Sequence, residues 1–208
     1  MNNKVLCLLM LCVLMSRPMA WGQDTTDAAR VMDSCVKRVK DMDSYTAVIE
    51  YDSPYMEGRA TLVFAGGKYL FSTESIERMC DGQYIYTVMN DVKEVNVENM
   101  ETEGEALGSM SDILNIFVRN FKPYAAYRKG DVWVLVLRPM AQDRNLMCVE
   151  VEIDAVTYMP RAFVEKMKEG EGSVIKIQKI ERTNGIDEKK FTFDEKKYKD
   201  MGYYIVRP

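Results

Sequence analysis

The protein has 208 residues and a formal net charge of −4, and it contains no histidine. A mildly acidic chain is a poor match for the phosphate backbone of nucleic acids, so we expect no nucleic acid partner. Without an imidazole, the sequence offers no Ser-His-Asp or Cys-His nucleophile and lacks the commonest zinc ligand. We therefore expect a protein that is not an enzyme and that holds no metal or cofactor.

The first 22 residues have the layout of a secretory signal peptide. Lys4 is followed by the uncharged apolar run Val5–Met15, and small residues come next, ending at Gly22. The apolar run is shorter than the roughly 20 residues that a helix needs to span a bilayer. We expect residues 1–22 to be removed, with cleavage after Ala20 as the alternative, and residues 23–208 to form a single exported domain, soluble and not lipidated, with a net charge of −6.

Three cysteines follow the signal segment, at Cys35, Cys80 and Cys148, and each has apolar neighbours. An odd number leaves at least one cysteine without a partner in an oxidising compartment. Because cysteine is among the most buried residue types, we expect buried free thiols and no disulfide shared by all molecules.

Residues 26–42 predict an amphipathic helix. Apolar residues recur at spacings of four and three, and the charged residues lie off that stripe. After residue 44 the apolar period changes from 3.6 to 2, which is typical of half-buried β-strands. Gly66-Gly67 and Asn90-Asp91 fall between such strands, so each predicts a two-residue hairpin turn.

The second half of the chain continues this pattern after an acidic loop at residues 101–108. A capped helix begins at Ser109, carries Leu114 and Phe117 on its apolar face, and ends at Pro123. Further strands are predicted at residues 132–137, 146–153, 161–167, 174–180 and 191–193.

The element order predicts a mainly β protein of the α+β class, with about eleven antiparallel strands and two helices that cover them. A sheet of that size curls or closes because its twist accumulates and exposed edges favour aggregation. One side of the curled sheet is apolar. Either the helices fill that side completely, or a ligand shares it.

Several local motifs resemble those of the LolA-like lipoprotein carrier family. They are the strand Asp81-Gly82-Gln83-Tyr84-Ile85-Tyr86 with its partner Val92-Lys93-Glu94-Val95, the helix end Met42-Asp43-Ser44-Tyr45, and the closing segment Lys190-Phe191-Thr192-Phe193. Their order covers essentially the whole mature chain. The resemblance implies an unclosed antiparallel β half-barrel with a helical lid over a hydrophobic cavity.

The resemblance also implies a function and partners. Such a protein is a periplasmic monomer that binds the acyl chains of lipoproteins, or other lipids. It receives them from an inner-membrane lipoprotein-releasing transporter and passes them to an outer-membrane acceptor. In one respect the sequence departs from the family: carriers have an arginine before the third strand that latches the lid, whereas this chain has Ala65-Gly66-Gly67-Lys68 there. Lys68 offers at most a looser point charge in its place.

We expect the cavity to be lined by apolar and aromatic residues of the strands and of the second helix. The candidates are Ile49, Leu62, Phe64, Phe71, Tyr84, Tyr86, Leu114, Phe117, Trp133 and Leu135. The sequence alone leaves open whether these side chains line a cavity or form an ordinary core. Two other functions also stay open: a periplasmic lipid-binding sensor or regulator with the same half-barrel, and a secreted hydrolase that uses two carboxylates.

Overall fold

A computed structural model describes residues 25–100, 110–141 and 145–207. The predicted signal peptide and the predicted loop at residues 101–108 lie outside these ranges. The helices are α1 Thr25–Lys40, α2 Met110–Asn120 and α3 Glu195–Asp200, with a 3₁₀ helix at Glu188–Phe191. The strands are β1 Ser44–Asp52, β2 Glu57–Ala65, β3 Lys68–Ser72, β4 Ile76–Cys80, β5 Tyr84–Met89, β6 Glu94–Asn99, β7 Phe121–Lys129, β8 Val132–Pro139, β9 Leu146–Asp154, β10 Pro160–Met167, β11 Val174–Arg182 and β12 Tyr204–Val206.

All twelve strands form one sheet in the order β12-β6-β5-β4-β3-β2-β1-β11-β10-β9-β8-β7. Hairpins join consecutive strands within each half, and β1 joins the halves by pairing with β11. The end strands β12 and β7 are not neighbours in this order, so the sheet is an unclosed half-barrel. The predicted fold is confirmed, with twelve strands described where about eleven were expected, and the last of them, β12, runs parallel to β6.

The two predicted hairpin turns have different outcomes. Gly66 and Gly67 have φ values of 56° and 83°, and Ala65 pairs with Lys68, which confirms the first turn. The second turn is longer than predicted, because Met89 pairs with Glu94 and the positive φ falls on Lys93. Its first residue, Asn90, donates its backbone N–H to the Ser75 carbonyl in the neighbouring turn, at 2.9 Å.

Two segments differ from the sequence prediction. Strand β7 follows α2 directly and contains Pro123, which a strand at the end of a sheet tolerates because it needs no donor on its outer side. The strand predicted at residues 191–193 is wrong. The Asp187 side chain accepts a hydrogen bond from the Lys189 N–H and caps a 3₁₀ helix there, with Phe191 buried.

The helices α1 and α2 cover one face of the sheet, called the inner face below. The main core lies between them and includes α1 residues, the α2 residues Met110 and Leu114, and strand residues from both halves of the sheet. A second, smaller cluster lies on the opposite face of β5 and β6, where the C-terminal segment, residues 193–206, packs. Cys35, Cys80 and Cys148 are free thiols in the structure, and all three are buried, as the sequence predicts.

No helix in the described ranges is both long enough and apolar enough to cross a membrane.

Candidate functional site

Eight of the ten predicted cavity residues belong to the core of the inner face. Ile49, Leu62, Leu114 and Leu135 are buried, whereas Phe64, Phe71, Phe117 and Trp133 are partly buried against the same cluster. Alternation places these strand residues together because inward-facing positions of neighbouring strands stand opposite one another, as Ala47 does opposite Leu62. The inner face is thus a continuous apolar surface that α1 and α2 cover.

The other two residues, Tyr84 and Tyr86, are placed differently, and their assignment to the same face is corrected. In β5 the residue between them, Ile85, is the one that points to the inner-face core. Tyr86 instead stacks on Phe193 of the C-terminal segment, with ring centroids 4.4 Å apart. Its hydroxyl donates to the Asp81 carboxylate at 2.9 Å. Both tyrosines hold the C-terminal segment and do not contribute to the inner face.

The Asp81 carboxylate organises this turn. Burial alone would raise its pKa, but hydrogen bonds from the backbone N–H groups of Tyr84 and Gln83 and from the Tyr86 hydroxyl outweigh that effect and hold the pKa below its ordinary value. Burial, together with this hydrogen bond to Asp81, raises the pKa of Tyr86 to about 12. The D-G-x-Y-x-Y motif therefore stabilises a turn and a strand, and its chemistry is structural.

Helix α2 lies on the inner face as a lid. Its Phe117 ring stacks on Phe163 of β10, with centroids 5.1 Å apart and planes 10° apart, and it also contacts Phe121 at 5.5 Å. Leu114, one turn earlier, is fully buried. The lid is therefore attached to the sheet mainly by apolar burial, which has no directional preference, and by stacked aromatic rings.

One polar contact fixes the start of this lid. The Met110 backbone N–H donates to the Tyr45 hydroxyl at 2.6 Å, and the Tyr45 ring stacks on Phe64 with centroids 5.2 Å apart. The first N–H groups of a helix have no partner within the helix, so Tyr45 satisfies a donor that would otherwise be left unpaired in the core. Burial raises the pKa of Tyr45 to about 12, which keeps its hydroxyl neutral.

Lys68 does not take the place of the missing arginine at the lid. Its ammonium group pairs with Glu188 in the 3₁₀ helix, and so it ties β3 to the C-terminal part of the chain. No local pattern in the sequence indicates Tyr45 as a lid contact, because its partner is a backbone N–H 65 residues away.

An open groove lies at the end of the half-barrel where the β1–β2 and β3–β4 connections meet. We call it the mouth groove; its volume is about 660 Å³, and its apolar lining is Tyr51, Met56, Phe71 and Ile76. Tyr51 and Phe71 also pack against the inner-face core, so the groove leads to that core. Met56 and Ile76 are 57% and 38% exposed at its outer edge. The charged groups Glu57, Arg59 and Glu74 form its rim.

A smaller pocket of about 130 Å³ lies between α1, α2 and β7, and Met32, Phe117, Phe121 and Leu137 contribute to it. The lid is therefore not packed perfectly against its neighbours. Within the described ranges, no three His, Cys, Asp or Glu residues are grouped closely enough to hold a metal ion.

No protein-family model and no curated protein matches this sequence. Among solved structures, the chain is similar to an uncharacterized conserved protein from Thermus thermophilus, with a TM-score of 0.60 and 12% identity over 88% of this chain and 99% of that one. It is also similar to a putative outer membrane lipoprotein-sorting protein domain from Vibrio parahaemolyticus, with a TM-score of 0.45 and 11% identity over 81% of this chain and 97% of that one.

A third similar structure is a LolA superfamily protein from Nitrosomonas europaea, with a TM-score of 0.40 and 13% identity over 80% of this chain and 98% of that one. The Thermus thermophilus similarity shows a shared fold.

Proposed function

We propose that this protein binds the acyl chains of lipoproteins, or of other lipids, between its inner face and α2, and carries them through the periplasm toward the outer membrane. The observation that carries the proposal is the continuity of the inner-face core with the mouth groove through Tyr51 and Phe71. An acyl chain entering the groove would pass these two rings on its way to the apolar core.

The energetics of acyl chains suit such a site. A chain has no directional groups, so its binding depends on buried area, at about 0.8 kcal/mol for each buried methylene. The apolar contacts of α2 can be exchanged for contacts with an acyl chain, because one apolar surface replaces another. The inner face is filled by its own side chains when the lid is in place, so we infer that α2 moves aside when the ligand binds.

The proposal includes a single domain at residues 23–208, a cleaved signal peptide at residues 1–22, and a monomeric carrier. It also includes two partners: an inner-membrane transporter that releases lipoproteins and an outer-membrane acceptor. Intact-mass analysis of the exported protein tests the cleavage. Mass spectrometry of the gently purified protein would identify any acylated molecule that remains bound.

The test of the binding site compares Phe117→Asp with Val118→Asp, using a synthetic triacylated lipopeptide as the ligand. Phe117 lies between the lid and the sheet, whereas Val118 is 47% exposed on the same helix. An unpaired carboxylate at Phe117 would be costly to desolvate in the site, so we expect its Kd to rise by more than about tenfold. The Val118 variant should bind like the wild-type protein.

Circular dichroism should show that both variants keep their β-structure, because neither residue lies in a strand. If a folded Phe117→Asp protein bound the lipopeptide as tightly as the wild type, the inner face would be an ordinary core and the proposal would be wrong.

A further inference from the structure

Tyr51 occupies a position that only a glycine opposite it permits. In the pairing of β1 with β2, Tyr51 stands opposite Gly58. A Cβ atom on residue 58 would lie 2.5 Å from the Tyr51 hydroxyl oxygen and 2.8 Å from its Cζ atom, closer than real side chains approach. The glycines with positive φ do not include Gly58, so its backbone does not require glycine. What requires it is the tyrosine ring, which lies over residue 58.

The ring separates two grooves at this end of the half-barrel. Tyr51 lines the mouth groove, and it also lines a second open groove of about 610 Å³ on the outer side, where Glu50, Asp52 and Lys176 are found. The outer groove is charged, and Arg59 pairs there with Glu50 at 2.6 Å. Glu57, Gly58 and Arg59 also line both grooves, and Tyr51 is the aromatic side chain among the shared residues.

The ring is held by packing alone. Among the described residues, no hydrogen bond holds the Tyr51 hydroxyl, in contrast to Tyr45, whose hydroxyl accepts the Met110 N–H. Rotation about χ1 would therefore break only van der Waals contacts.

We propose that Tyr51 is the gate of the mouth groove: it rests on Gly58 in the empty protein and swings away to admit an acyl chain to the inner face. This inference rests on the proposed function, since it names the entrance to the same site. The occupant is an acyl chain, because the groove inside the ring is lined by Phe71, Met56 and Ile76 and continues into the inner-face core.

Two substitutions open the gate by different means, and one leaves it closed. Tyr51→Ala removes the ring. Gly58→Ala keeps the ring but places a methyl group where its hydroxyl end lies, and that end belongs to a movable side chain, so the ring is displaced. Tyr51→Phe is the matched control, because it keeps the ring over Gly58 and removes only the hydroxyl.

The measurement is stopped-flow fluorescence of a triacylated lipopeptide labelled on its peptide, mixed with each purified protein. Where a conformational change must precede binding, the association rate is reduced, so removing that step should raise the rate constant about tenfold in Tyr51→Ala and Gly58→Ala. Tyr51→Phe should match the wild type. Circular dichroism checks that each variant is folded, and Tyr51→Ala decides the matter if Gly58→Ala does not fold.

The outcomes separate the gate from the proposed function. Binding with the same association rate constant in the wild type and Tyr51→Ala would overturn the gate and leave the acyl-chain site standing. Binding by the opened variants but not by the wild type would support the gate. No binding by any of the four folded proteins would overturn both.

Discussion

At the scale of single residues, Tyr45 holds the lid in a chain that lacks an arginine at the expected position. An arginine would hold a lid through its charge, which salt and solvent weaken at an exposed site. Tyr45 uses a neutral hydrogen bond inside the core, together with its stacking on Phe64. A neutral contact of this kind breaks without leaving a buried charge behind, which suits a lid that has to open.

We predict that Tyr45→Phe loosens α2 and leaves the sheet intact. The substitution keeps the ring and its stacking, but it leaves the Met110 N–H without its acceptor, which costs about 1–2 kcal/mol of stability. Urea unfolding measures the loss, and hydrogen exchange should show faster exchange in α2 than in the wild type.

The control variant, Tyr55→Phe, removes a hydroxyl group from a side chain that is 95% exposed. Tyr55→Phe should change neither stability nor exchange. Equal protection of α2 in Tyr45→Phe and in the wild type would show that the hydroxyl does not hold the lid.

At the scale of elements, the C-terminal segment acts as a clamp on the outer face of β5 and β6. Phe193 stacks on Tyr86 and on Tyr198, and Tyr198 makes an edge contact with Tyr203. The segment ends in β12, which pairs with β6 and so covers one end of the sheet. Covering that strand reduces the risk that β6 pairs with another chain.

We predict that Tyr198→Ala destabilises the protein by about 3 kcal/mol, a value usual for truncation of a buried aromatic residue. Tyr198 is 8% exposed, and its hydroxyl donates to Glu77 of β4 at 3.0 Å, so packing and a hydrogen bond are lost together. Tyr204→Ala is the control, because that side chain is 72% exposed and its strand pairs through the backbone. A loss in the Tyr204 variant equal to that in Tyr198→Ala would contradict this description of the clamp.

The sequence predicted the elements with strong periodicity, and it missed strands that lack it. Strand β7 contains Pro123 and two consecutive alanines, which give no strand signal, yet its backbone pairs with β8. Strand β12 has three residues and forms only because β6 is available to pair with it. The sequence pattern around β12 cannot reveal a partner strand that lies about a hundred residues earlier in the chain.

At the scale of the whole molecule, the sequence determined which residues share a strand face but not which face the helices cover. Side chains along a strand point alternately to the two faces of the sheet. An error of one residue in choosing the inward-facing positions therefore assigns every side chain of that strand to the wrong face. In β5 the pattern predicts Tyr84 and Tyr86 as cavity residues, whereas the structure places Ile85 on the inner face and the two tyrosines on the outer face. The mouth groove could not be predicted from the sequence pattern, because it forms where the ends of two hairpins approach each other.

Tyrosines with raised pKa values give the whole molecule a predictable response to alkaline pH. Burial raises the pKa of Tyr45 to about 12, and burial together with the Asp81 carboxylate raises that of Tyr86 to about 12. Burial, with the nearby Glu77 carboxylate, also raises the pKa of Tyr198 above its ordinary value. In the unfolded chain, a tyrosine loses its proton at about pH 10.

We predict that the urea midpoint falls as the pH rises from about 10 to about 12. In this window the unfolded state has released protons that the folded state still holds, so the free energy of unfolding decreases with pH. Other groups also lose protons in this range, among them the Cys35 thiol, whose pKa burial raises to about 12, so the double variant Tyr45→Phe/Tyr198→Phe serves to isolate the contribution of these two tyrosines. Its midpoint should fall less steeply than that of the wild type, because two of these tyrosines no longer titrate. Parallel curves for the two proteins would mean that these hydroxyls ionise in the folded protein as readily as in the unfolded chain, and that neither the lid contact nor the clamp excludes water from them.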